Sequence, residues 1–289
     1  MDLSRTFCWR GRTIAWDCLG SGPAVVMCHG TPWSSKLWAP FAHALSREFT
    51  VYLWDMPGYG QSSMRLEHDV DLGTQAALLS DLLRHWELQA PHLVAHDYGG
   101  AVSLRAHLVH AAALASLALV DVVALRPWGS EFFQLVAQNA EIFAAQPDAV
   151  HQGALEAYIS GASHRGLTAE QLDTLTSPWL SADGKRAFYG QIAQADERFT
   201  DEIQDRYSEI DFPVKIIWGR EDAWIPVDRA RRLAQLIPDS DLEIIEGAGH
   251  LIQYDAPVHL AVALHRWLVD VSGASDHALD GALERPNIP

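Results

Sequence analysis

The nine residues HLVAHDYGG, positions 92–100, decide the fold. Residues 92–95 read as a short buried strand, and the run that begins at Gly99 carries apolar residues at helical spacing to position 113. Asp97 stands between them, flanked two residues away on either side by the small Ala95 and Gly99. Small neighbours let a residue at a sharp strand-to-helix turn take a strained backbone and project its side chain above a sheet. Taken alone, Asp97 is also a good cap for the helix that follows.

Outward from this turn, short β-rich runs alternate with longer helical patterns. Before it, residues 7–10 and 12–18 flank Gly11 as a hairpin, 24–28 form a buried strand, 34–47 a helix, 51–54 a strand and 75–88 a helix. After it comes a strand at 117–123. Strands at 214–218 and 242–245 and helices at 226–237 and 258–271 resume the rhythm further on. Such alternation predicts an α/β fold with a mostly parallel, eight-stranded sheet flanked by helices. The break at 124–209 has helical patterning and many aromatic residues, and a structureless loop of that length is improbable. The expected organisation is therefore a core of 1–123 and 210–272, an inserted helical cap at 124–209, and a polar, disordered tail at 273–289.

The formal charge of -16, from 37 acidic against 21 basic residues, opposes binding to nucleic acid or anionic lipid. No apolar run is long enough to span a bilayer, and the first ten residues lack a signal-type stretch. A cytoplasmic protein is expected. Cys8, Cys18 and Cys28 are too few and too scattered for a disulfide framework or a zinc site.

Ligands of open parallel sheets bind beyond the carboxyl ends of the strands. Four reactive segments fall there: His29-Gly30-Thr31-Pro32-Trp33, the turn at Asp97, Gly219-Arg220-Glu221-Asp222, and Gly247-Ala248-Gly249-His250. Asp97, Asp222 and His250 follow one another as nucleophile, acid and base. A carboxylate suits attack on saturated carbon. Serine would form an ether that water cannot readily cleave, whereas a carboxylate forms an ester that an activated water can open.

The His-Gly-x-Pro segment, the Asp-x-Pro-Gly-Tyr-Gly turn at 55–60, the His-Asp-Tyr-Gly turn and the Gly-x-Gly-His segment occur in one order. In these motifs the chain resembles the α/β-hydrolase superfamily, and within it the aspartate-nucleophile branch of haloalkane dehalogenases and epoxide hydrolases. The resemblance runs from the first hairpin to about Val271. It implies that Asp97 forms a covalent ester, that His250, oriented by Asp222, activates water, and that the backbone N–H groups of Thr31 and Tyr98 hold the oxyanion. Asp121, near the end of the strand at 117–123, occupies the place where some haloalkane dehalogenases carry the acid, and stands as the alternative to Asp222. The expected substrate is small and apolar, with water as co-substrate, no cofactor, no metal, and a monomer or homodimer as the working unit.

The substrate pocket is expected to include His29, Trp33, His96, Trp128, Tyr158 and Tyr189. Trp33 or Trp128 would serve a departing halide, because Tyr98 and Thr31 replace the tryptophan and asparagine of typical haloalkane dehalogenases. Tyr189 and Tyr158 would serve an opening epoxide as proton donors. Haloacetate dehalogenases carry arginines where this chain has Tyr98 and Ala101, which disfavours halo-acids. The leading reading is a haloalkane dehalogenase; the second is an epoxide hydrolase giving a diol. A noncatalytic ligand-binding homologue is the reading from another class.

Overall fold

Strand alternation sends Val26, Leu93, Leu119 and Ile216 to one face of the sheet and Val25, Val94, Val120 and Ile217 to the other. All eight are fully buried. Strands apolar in both phases need helices on both faces, the arrangement of a parallel sheet. The computed structural model describes residues 2–65 and 67–273, so the tail expected at 273–289 lies, beyond its first residue, outside the described residues.

The sheet holds β1 (Arg5–Trp9), β2 (Arg12–Leu19), β3 (Ala24–Cys28), β4 (Thr50–Trp54), β5 (His92–Asp97), β6 (Ser116–Val122), β7 (Val214–Gly219) and β8 (Asp241–Ile245). Their order is β1-β2-β4-β3-β5-β6-β7-β8. Only the pairs β1–β2 and β2–β4 are antiparallel. The predicted eight-stranded, mostly parallel sheet is thus the observed one.

The helices are α1 (Ala39–Leu45), α2 (Leu72–His85), α3 (Tyr98–Leu108), α4 (Glu131–Ala144), α5 (Asp148–Ser160), α6 (Ala169–Thr176), α7 (Ala182–Ala193), α8 (Arg198–Gln204), α9 (Asp228–Leu236), α10 (Ile252–Asp255) and α11 (Pro257–Ser272). Core residues of α2, α3 and α9 join one face of the sheet, and those of α1 and α11 the other. Helices α4 to α8 are inserted between β6 and β7. None of the described helices is long and apolar enough to cross a membrane.

Two boundaries differ from the sequence reading for local reasons. The helix predicted at 34–47 divides into a 3-10 turn, Ser35–Leu37, and α1, which restarts at Ala39 with a proline in its first turn. Proline lacks the N–H that would continue the first segment but suits a helix start. α2 begins three residues early because Asp71 accepts the Thr74 N–H at 3.0 Å, capping it.

The β5–β6 ladder carries the irregularity that matters most for the site. His96 pairs with Val120, but the next residue, Asp97, pairs with Val122. Asp121 is the extra residue, and its φ is +44°.

Candidate active site

Asp97 ends β5 and opens α3 with φ +49° and ψ -120°. A non-glycine residue held there stores about 1–3 kcal/mol of strain, so the surroundings must impose it. A Cβ on Gly99 would meet the Cys28 carbonyl oxygen at 2.6 Å, and one on Gly30 would meet the Asp97 Cβ at 2.3 Å. Glycine alone allows both approaches. The Asp97 carboxylate makes no capping bond to α3, which removes the reading of this residue as a helix cap. Its Oδ1 accepts the Thr31 N–H at 2.6 Å, and its Oδ2 lies 3.4 Å from His250 Nε2.

His250 donates from Nδ1 to Asp222 Oδ2 at 2.9 Å, and both side chains are fully buried. Asp222 Oδ1 accepts the N–H groups of Trp224 and Ile225 at 2.7 and 2.8 Å. Asp222, not Asp121, is therefore the partner of the imidazole. Burial alone would lower the His250 pKa, but Asp222 first and Asp97 next override it and hold it well above the ordinary histidine value. Of the two expected oxyanion donors, Thr31 makes its bond, and the Tyr98 N–H begins α3, where no intrahelical acceptor exists.

Asp97 opens onto a cavity of about 20 Å³ walled by Tyr98, Val123, Trp128, Phe133, Tyr158 and Trp224. Tyr98, Trp128 and Tyr158 are thus placed as expected, although the Trp128 indole N–H is already given to Thr200 Oγ1 at 3.1 Å. The Tyr98 hydroxyl is buried without a partner. A larger surface groove of about 690 Å³, lined by Arg84, Glu87 and His110 among others, contains none of the site residues.

The other expected pocket residues stand around this cavity and not in its wall. His29 donates from Nδ1 to the Gly30 carbonyl at 2.8 Å and accepts the Met56 N–H on Nε2 at 2.9 Å, so it struts the loop before Thr31. His96 Nε2 donates to the His250 carbonyl at 2.9 Å, and burial pushes its pKa down to about 3. Trp33 stacks on Trp224 at 5.6 Å and lines a neighbouring crevice with Pro32 and Trp179. Tyr189 gives its hydroxyl proton to His151 Nδ1 at 2.8 Å, because His151 Nε2 donates to the Trp179 carbonyl at 3.0 Å. Burial raises the Tyr189 pKa to about 12.

Two residues absent from the sequence reading belong to the site. Trp224 stacks on His250 at 5.0 Å and on Tyr158 at 4.4 Å, joining the base to the insertion. Gln191 Oε1, from α7, accepts the hydroxyls of Thr31 and Tyr59, each at 2.8 Å. An aromatic two residues beyond Asp222 was a visible signal for Trp224; nothing marked Gln191. Together the groups set one carboxylate oxygen beside an imidazole and a backbone N–H against the other oxygen.

Residues 23–257 match the family described as alpha/beta hydrolase fold. A solved structure of an alpha/beta hydrolase fold protein from Burkholderia ambifaria is similar to this chain with a TM-score of 0.89 and 42% identity, covering 91% of this chain and 97% of that one. An uncharacterised protein of Mycobacterium tuberculosis is 29% identical over 271 residues, 89% of this chain and 79% of its own. A fluoroacetate dehalogenase from a Burkholderia species is 32% identical over 179 residues, 55% of this chain and 58% of its own.

Proposed function

The chain belongs to the alpha/beta hydrolase fold family, and from that premise we propose that it hydrolyses small apolar alkyl electrophiles through a covalent ester on Asp97, haloalkane dehalogenation being the leading reaction. The observation that carries this reading is the Asp97 carboxylate: strained, held through Oδ1 by Thr31, with Oδ2 beside His250. The similarity to a fluoroacetate dehalogenase supports carbon–halogen chemistry. Tyr98 and Ala101 offer a substrate no cation, which directs the reading to neutral haloalkanes and away from halo-acids.

In the first step Asp97 Oδ2 attacks the carbon, a C–O bond forms, and the C–halogen bond breaks with the halide taking the electron pair. Ester formation removes the negative charge of Asp97, which lowers the pKa of the imidazolium beside it, so His250 releases its proton and becomes a base. Water then gives a proton to His250 and bonds to the Asp97 Cγ. The charge gathers on Oδ1, beside the Thr31 and Tyr98 N–H groups. Collapse expels the alkoxide, which takes the proton back from His250; the regenerated Asp97 acid then passes its proton to His250, restoring the carboxylate and imidazolium, and the proton released after ester formation balances the halide. The helical insertion serves as the cap that keeps this chamber apolar.

Epoxide opening is the second reading, favoured by one observation. The side-chain hydroxyls on the cavity wall include two phenols, Tyr98 and Tyr158, and a phenol can pass a proton to an opening oxygen, which halide does not require. A panel of bromoalkanes and terminal epoxides, scored separately for halide and diol, decides between them. Saturable binding without turnover would replace both with a ligand-binding role. The covalent route has its own test. His250→Gln should stop at the ester, giving an added alkyl mass on the peptide that contains Asp97; substrate consumption by the wild type without any such adduct in the variant sinks the mechanism.

A further inference from the structure

Among the carboxylates around His250, Asp121 is the one that the proposed chemistry leaves unused. It is the extra residue of β6 at the β5–β6 bulge, its backbone is left-handed at φ +44°, and its side chain is fully buried. Bulges beside active sites re-aim a side chain, and a left-handed backbone is strained for a non-glycine residue. Oδ1 accepts the Gly219 N–H at 2.9 Å, whereas Oδ2 has no donor although it is buried. Gly219, whose N–H Asp121 holds, in turn accepts the Asp222 N–H on its carbonyl at 3.3 Å, so the two acidic residues meet at one turn.

Asp222 accepts three N–H groups, two on Oδ1 and the His250 N–H on Oδ2. A carboxylate offers about four lone-pair sites, so Asp222 can take one more donor. Two facing carboxylates in a dry pocket repel each other, and the ionised form of Asp121 would leave Oδ2 unpaired. The protonated form supplies the missing donor itself.

We propose that Asp121 is a positioning residue of this site, a neutral carboxylic acid whose O–H donates to Asp222 and fixes the carboxylate that orients His250. Burial, and after it the Asp222 charge, push its pKa well above the ordinary carboxylate range, the direction this role requires. The titratable groups facing it are Asp222 from the loop after β7 and His250 from the loop after β8, with His96 and Asp97 across the bulge on β5. The proton stays on Asp121 throughout the cycle. Its loss would set two like charges against each other and release Asp222 from its single orientation.

This inference rests on the reading of Asp222 and His250 as acid and base, but its first test needs no turnover. In an infrared difference spectrum of wild type against Asp121→Asn at neutral pH, the carbonyl band of a protonated carboxylic acid should belong to the wild type and vanish in the variant. The second test is kinetic. Asn keeps a donor toward Asp222 and an acceptor for Gly219, so Asp121→Asn should hold hydrolysis within about threefold of wild type at neutral pH, while Asp121→Leu should lose about 10- to 100-fold. At alkaline pH the wild type should lose activity as Asp121 ionises, and Asp121→Asn should not. Absence of the acid band, an Asn variant as damaged as the Leu variant, or identical alkaline limbs would each overturn the proposal. An acid band in a protein that turns over none of the panel leaves the role of Asp121 standing and removes the proposed function.

Discussion

Asp97 presents its two oxygens to different partners, Oδ1 to the Thr31 N–H and Oδ2 to His250. In the proposed mechanism attack falls to Oδ2 and the developing charge to Oδ1, so Asp97→Ala should abolish turnover, by about 10⁴-fold or more, while circular dichroism stays native. The neighbouring His96 makes a different prediction. Its folded pKa is pushed down to about 3 from 6.5 by burial, so below pH 6.5 the unfolded chain takes up a proton that the folded protein refuses. Stability is therefore present above pH 6.5 and falls as the pH drops, by about 1.4 kcal/mol per unit from this one residue. His250 acts in the opposite sense: its raised pKa contributes stability present below its ordinary value and lost as the pH rises through its folded value. In urea titrations between pH 6.5 and 4, His96→Gln should show a shallower acid limb than wild type. Equal slopes would mean that His96 does not stay neutral.

At the scale of elements, α7 reaches Thr31 through the side chain of Gln191. Gln191 accepts two hydroxyls, one of them from Thr31, whose own N–H holds Asp97. Gln191→Leu leaves both hydroxyls without that acceptor and loosens Thr31, so it should lower kcat by about 10-fold and depress the melting temperature, with KM little changed. An unaltered kcat would show that the insertion does not set the oxyanion donor. Sequence made part of this legible. Asp97, Asp222 and His250 follow strands, and strand ends announce themselves through apolar runs and glycines. Gln191 and Thr31 are 160 positions apart, and no periodicity marks a contact set by how one layer of helices rests on another. Tyr189 shows the same limit from the other side. Its sequence surroundings suggest a proton donor to substrate, but α5 brings His151 within 2.8 Å of it and takes that proton. The bulge at Asp121 was equally silent, because one extra residue in a strand leaves the apolar pattern almost intact.

At the scale of the whole molecule, sheet and insertion close over Asp97 from opposite sides: Tyr98, Val123 and Trp224 from the core, Trp128, Phe133 and Tyr158 from the insertion. In the proposed reaction a substrate at Asp97 touches both parts, so movement of one against the other would enter the kinetic scheme beside the chemistry. The net charge of -16 has little hold on a neutral substrate. A chamber of about 20 Å³ has room for about one water molecule, and this small size imposes an order of traffic. A halide left behind after the first step would occupy the place the hydrolytic water needs, so departure must precede entry. Bromide added to a single-turnover reaction should then slow release of the alcohol more than it slows formation of the ester, as seen by rapid quench. If bromide only competes with the haloalkane, the exit and the entrance are separate doors.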